Sequence, residues 1–85
     1  MSGPAKGSPR IPDSVRWVLY EAVGQRLRQI RTDQGKSVSE VALAAGTTTG
    51  TLSRIEMAET PPPLHILVGA AKALGVTLND IVPMD

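Results

Sequence analysis

The chain has 85 residues and a formal net charge of +1, with no cysteine, no phenylalanine, one tryptophan and one tyrosine. That length suits one small domain with an aliphatic core of limited size, and the absence of cysteine excludes disulfides and thiolate metal sites and fits a reducing cytosol. No run of about 18 apolar residues offers a membrane span, and the N-terminus lacks the apolar stretch of a secretory signal. The charge is unevenly spread. Residues 1–36 hold seven basic and three acidic side chains, whereas residues 37–85 hold two basic and five acidic ones.

Residues 1–12, MSGPAKGSPRIP, are rich in Gly, Pro and Ser and read as a disordered tail. Its Lys6 and Arg10 leave open a contact with a phosphate backbone or minor groove. Asp13 or Ser14 caps a long first helix running to about Asp33, with Leu19, Val23, Leu27 and Ile30 as its core stripe. Gly24 inside that stripe predicts close packing against another backbone. Val15, Trp17, Val18 and Tyr20 add more apolar surface than one stripe needs, for the domain's own core or for a partner. Arg26, Arg28 and Arg31 form either a basic edge facing a polyanion or a solvated face. Gly35 closes the helix.

Residues 37–56, SVSEVALAAGTTTGTLSRIE, read as two short helices joined by a turn at Gly46. The first presents Val38, Val41, Ala42 and Ala45 on one face. Thr48 is the N-cap of the second, which runs to about Met57. Thr48, Leu52 and Ile55 share its inward face, and Thr49, Gly50, Ser53, Arg54 and Met57 point outward. Pro61, Pro62 and Pro63 then stiffen the connection, as a spacer or as a ligand for an SH3-like groove. Pro63 suits the first position of the fourth helix, whose inward face is Leu64, Leu67, Ala71 and Leu74 and which Gly75 closes. Thr77 and Asp80 form a capping box for a last short helix that buries Leu78, Ile81 and Val82 and ends at Pro83. The expectation is an all-α chain: five helices, no strands, with the domain over residues 13–85.

Little here supports catalysis. His65 is the only histidine, has neither Cys nor a nearby carboxylate, and reads as a surface or half-buried side chain. No phosphate-binding glycine loop follows a strand, and the acidic residues are scattered singly. Neither a metal, a cofactor nor an enzymatic activity is expected.

The segment from about Val23 to Val82 resembles the helix-turn-helix family of the phage repressor and Cro type, also called XRE-like. The residues that carry the resemblance are the GQRLRQIR run of Gly24–Arg31, Gly35, Glu40–Ala42, Ala45-Gly46, Leu52–Glu56 and the A-x-A-L-G-V of Ala71–Val76. It implies a compact, lambda-repressor-like bundle of five helices whose third helix enters the DNA major groove, where base edges carry an unambiguous donor and acceptor pattern. By position, Thr49, Gly50 and Arg54 match the family's base-reading sites. Ser37, Ser39, Thr48, Thr51, Ser53 and Arg28 are candidates for phosphate contacts, which set register without reading sequence. Arg31 and Glu56 match a pair that in this family forms a partly buried salt bridge.

Three features depart from the family pattern. Val38 stands where the family usually has Gln. Met57-Ala58-Glu59 replaces the usual Gly after the recognition helix, so that helix is expected to run further. Glu59 and the proline run predict a weaker or narrower DNA contact. The expected function is a sequence-specific DNA-binding transcriptional regulator of bacterial or phage type, cytoplasmic and associated with the nucleoid. It would act as a homodimer through the last helix with Val82 and Met84, or through the first helix around Trp17 and Tyr20. It could equally be part of a larger regulator with a ligand-sensing domain. The alternative is a protein-interaction module of the same fold, antitoxin-like or partner-binding, with weak DNA affinity.

Overall fold

The computed structural model describes residues 13–83. In chain order it holds α1 (Asp13–Asp33), α2 (Val38–Ala44), α3 (Thr49–Glu56), α4 (Leu64–Leu74) and α5 (Leu78–Ile81), with no strand among the described residues. The tail expected over residues 1–12, with Lys6 and Arg10, lies outside the described residues, as does Met84.

Helix boundaries follow local chemistry. Ser37 caps α2 with a reciprocal box: its hydroxyl accepts from the Glu40 N–H at 3.0 Å, and its own N–H donates to the Glu40 carboxylate at 2.8 Å. At α5 only half of that arrangement forms: the Asp80 carboxylate accepts from the Thr77 N–H at 2.9 Å and from the Thr77 hydroxyl at 3.0 Å, while the Asp80 N–H donates to the Thr77 carbonyl at 3.0 Å. Thr48 caps α3, its hydroxyl accepting from the Thr51 N–H at 3.1 Å. That role puts Thr48 in an extended conformation at the surface, so it does not share the inward face of Leu52 and Ile55 as expected. Pro63 stands just outside α4 rather than at its first position. Its ψ of 141° is extended, and its carbonyl accepts from Ile66 and Leu67.

α3 departs most from expectation. It does not run on past Met57, because Ala58 turns left-handed at φ 58°. The Glu59 N–H then reaches the Arg54 carbonyl at 2.8 Å and the Ala58 N–H reaches that of Ile55 at 3.1 Å. This pair of bonds is the one by which a glycine commonly ends a helix. Here two recovered carbonyls and the path into the proline run outweigh the strain on an alanine, about 1–2 kcal/mol.

The core is aliphatic. Leu27, Val41, Ala42, Leu52, Ile55, Ala70 and Ile81 are essentially inaccessible, and Val23, Ile66, Leu67, Ala71 and Leu74 complete the cluster. Two glycines let backbones touch. A Cβ on Gly24 would stand 2.6 Å from the carbonyl oxygens of Ile55 and Glu56, so α1 and α3 meet main chain to main chain. A Cβ on Gly69 would stand 2.9 Å from the Ala45 Cα, which joins α4 to the end of α2; the sequence offered no separate signal for that contact. The α1–α2 loop closes the far side. Gln34 donates to the Leu74 carbonyl at 2.7 Å and Lys36 to that of Ala73 at 2.9 Å, so a cation sits on the C-terminus of α4.

Two predicted stripes shift. On α1 burial begins at Val23, and Leu19 is only half-buried, because the first three turns extend past the other helices. On α4 the buried face is Ile66, Leu67, Ala70, Ala71 and Leu74, while Leu64 is 66% exposed. The helix begins at Leu64, on the side that the proline segment and α5 leave open. The three arginines Arg26, Arg28 and Arg31 of α1 also separate instead of forming one edge. Arg31 turns inward, Arg26 donates to the Asp80 carbonyl at 3.5 Å, and Arg28 stays exposed.

Replacing Ala58 with Gly should stabilise the fold by about 0.5–1 kcal/mol, the strain relieved less the extra freedom of the unfolded chain; thermal denaturation checks it. Acid should act through the carboxylates at the starts of α2 and α5. Asp80 titrates below its ordinary range chiefly because the Thr77 N–H donates to it, and Glu40 does so chiefly because of the Ser37 N–H. The unfolded chain takes up these protons at higher pH than the folded one. The stabilisation is therefore full above the unfolded carboxyl values and is lost as pH falls through the folded ones. Tm should drop on acidification below about pH 4, and less steeply in Asp80→Asn.

Candidate nucleic-acid interface

α2 and α3 meet through a four-residue connection in which Gly46 takes φ 77° and the Thr47 N–H reaches the Ala42 carbonyl at 2.9 Å. The left-handed residue reverses the chain without a Cβ clash. Val41 and Ala42 on α2 and Leu52 and Ile55 on α3 then bury their shared side. At the outer rim, the Ser39 and Thr49 hydroxyls lie 3.0 Å apart and tie the start of one helix to the start of the other.

Behind α3 stands an ion pair. Arg31 Nε donates to one Glu56 carboxylate oxygen at 2.7 Å and Nη2 to the other at 2.9 Å, while Nη1 donates to the Lys36 carbonyl at 2.9 Å. The two side chains are 11% and 5% exposed. Burial of this kind makes a fork-shaped guanidinium the suitable partner for a carboxylate. The hydrogen bonds to Glu56 raise the Arg31 pKa further above its already high value. One side chain thus joins the end of α1, the α1–α2 loop and the last residue of α3.

In front, helical periodicity places Gly50, Arg54 and Met57 on the stripe opposite Leu52 and Ile55. All three are exposed, and Arg54 has no side-chain hydrogen bond or ion pair among the described residues. Thr49 is exposed beside this stripe, while Ser53 and Thr51 are half-buried on its flanks. Thr48 donates to the Thr51 hydroxyl at 3.0 Å, so these two oxygens are already paired. Ser37 is engaged in its capping box, and Ser39 shares its hydroxyl with Thr49. Met57 belongs to the same exposed stripe although the sequence reading gave it no role; the i, i+4, i+7 spacing from Gly50 was the signal. Arg28, on α1, is exposed and apart from the α3 stripe.

A second surface is apolar. Pro62, Leu64, Leu67, Leu78, Asn79 and Val82 line an open groove between α4 and α5. On α1, Val15, Trp17 and Val18 are exposed, and the rings of Trp17 and Tyr20 meet edge to face at 5.1 Å.

A five-helix bundle that displays the second helix of a tight helix-turn-helix on an open face defines the class of small helix-turn-helix regulators. The helix-turn-helix family profile matches residues 27–81, and the chain belongs to that family, which consists of DNA-binding domains rather than enzymes. Among solved structures it is similar to the clp gene regulator ClgR from Corynebacterium glutamicum, with 33% identity and a TM-score of 0.70 over 74% of this chain and 82% of that one. It is similar to the restriction-modification controller protein C.AhdI from Aeromonas hydrophila, with 26% identity and a TM-score of 0.70 over 73% and 94%. The SinR/SinI complex also holds a similar chain, with 34% identity and a TM-score of 0.66 over 72% and 60%. No curated protein matches the chain.

Arg31→Ala should destabilise the fold by about 3 kcal/mol or more, because Glu56 is left buried without its partner. The double replacement Arg31→Met, Glu56→Leu should recover most of that loss. Chemical denaturation of both variants checks the contrast.

Proposed function

We propose that the protein is a sequence-specific DNA-binding transcriptional regulator that places α3 in the major groove. The observation that carries this reading is the outward stripe of α3, where Arg54 stands exposed, with no partner among the described residues, in front of a helix anchored from behind by Arg31 and Glu56. A guanidinium in that position reaches guanine O6 and N7 together. Thr49 and Gly50 complete the base-reading set. Ser37, Ser39, Thr48, Thr51, Ser53 and Arg28 supply phosphate contacts around it, the hydroxyls exchanging their present internal partners in part for phosphate oxygens. Glu59 and the N–H-free run Pro61–Pro63 thin the backbone contacts at the C-terminal side. Such a role places the protein in the cytoplasm with the DNA.

One helix reads few base pairs, so the reading includes a homodimer on half-sites about one helical turn apart. The groove between α4 and α5 supports this, since its apolar lining has no cover among the described residues. The same groove favours the second reading, a module that holds another protein, and the likeness to a chain of the two-protein SinR/SinI complex supports that as well.

Selection from a random duplex pool, followed by anisotropy titration at two salt concentrations, tests the proposal. A palindromic motif should emerge. Arg54→Ala should weaken its binding about 5- to 100-fold, and Arg28→Ala should lower the salt slope by about one unit whatever the sequence. Absence of binding at both salts would leave the protein-interaction reading.

A further inference from the structure

Gly50 stands apart from the other glycines of residues 13–83. Gly24 and Gly69 are required by backbone contacts that a Cβ would violate, and Gly35, Gly46 and Gly75 hold positive φ where they end their helices. Gly50 has neither reason. It lies at the second position of α3 with no positive φ, and a Cβ there would meet no atom within 4 Å. Alanine would therefore fit the fold and suit the helix better. A residue that the fold does not need, on the exposed stripe that also carries Arg54, points to something outside the chain that comes too close for a methyl group.

We propose that the bare Cα of Gly50 is the point of closest approach between α3 and DNA, and that it receives the 5-methyl group of a thymine. This deepens the DNA-reading role and rests on it. The thymine methyl is the apolar group that a base pair presents in the major groove, and a missing Cβ leaves a recess of about its size. Thr49 beside the recess, held by the Ser39 hydroxyl at 3.0 Å, forms one wall, and Arg54 one turn on forms the other. One helical turn rises about 5.4 Å and one base-pair step about 3.4 Å. The thymine therefore lies one or two base pairs from the guanine that Arg54 reads.

The test uses the full chain and the duplex selected from a random pool. Gly50→Ala should raise Tm by roughly 3–8 °C while weakening binding to that duplex about tenfold. Replacing the predicted thymine by deoxyuridine, which lacks the methyl, should weaken the native protein about fourfold. The same replacement should cost the Gly50→Ala variant much less, because that variant no longer closes on the methyl. If a motif is selected and Gly50→Ala binds it within twofold of the native protein, the proposal is overturned while the DNA-reading role stands. Indifference to deoxyuridine at every thymine of the motif overturns it in the same way. If no duplex is selected, the DNA-reading role fails and this proposal fails with it.

Discussion

The pairing of Arg31 with Glu56 sets the relation between the two halves of the structure. Arg31 closes the first helix, and Glu56 is the last residue of α3. Their two hydrogen bonds, with a third from Arg31 to the Lys36 carbonyl, lock the end of α3 to α1 and to the loop before α2. The bridge works together with the main-chain contact at Gly24, which brings the carbonyls of Ile55 and Glu56 against α1. Apolar contact alone lets a short helix roll or slide, because dispersion and burial are non-directional. A two-pronged ion pair and a backbone contact at one end fix both the rotation of α3 and its height. The value of a buried pair in this setting is orientation more than stability.

That orientation decides which residues α3 offers. Leu52 and Ile55 are taken into the core, so Gly50, Arg54 and Met57 must face outward. The resulting face is sparsely charged, with Arg54 as its single cation. The segment that follows is acidic and rigid, and its left-handed alanine and three prolines leave few free N–H groups. A surface of this kind gains less from general phosphate attraction than a basic one does. In the proposed DNA-reading role, discrimination by shape and by one guanidinium would carry a larger share of the recognition.

The described residues also leave apolar area uncovered among themselves. The α4–α5 groove is open, and Val15, Trp17 and Val18 lie on the part of α1 that extends past the bundle.

Much of the architecture was legible because it rests on local rules. The caps at Thr48 and Thr77, the glycines 35, 46 and 75 at helix ends, and the period of apolar residues mark the five helices without knowledge of the fold. Gly24 announced a close contact, though not its partner. The base-reading and phosphate candidates came from position within a family pattern rather than from local rules. What the sequence by itself determined was therefore where most helices start and stop, the end of α3 excepted, and the approximate apolar side of each. Tertiary structure alone decided that Leu64 stays outside while Ile66 and Ala70 go in, that the cluster of α1 arginines divides three ways, and that Ala58 accepts a conformation its own propensity opposes. Each of these outcomes depends on what lies across from the residue. Propensity and periodicity act within a few residues of chain, whereas burial, ion pairing and tolerated strain are set by neighbours that only folding brings into contact.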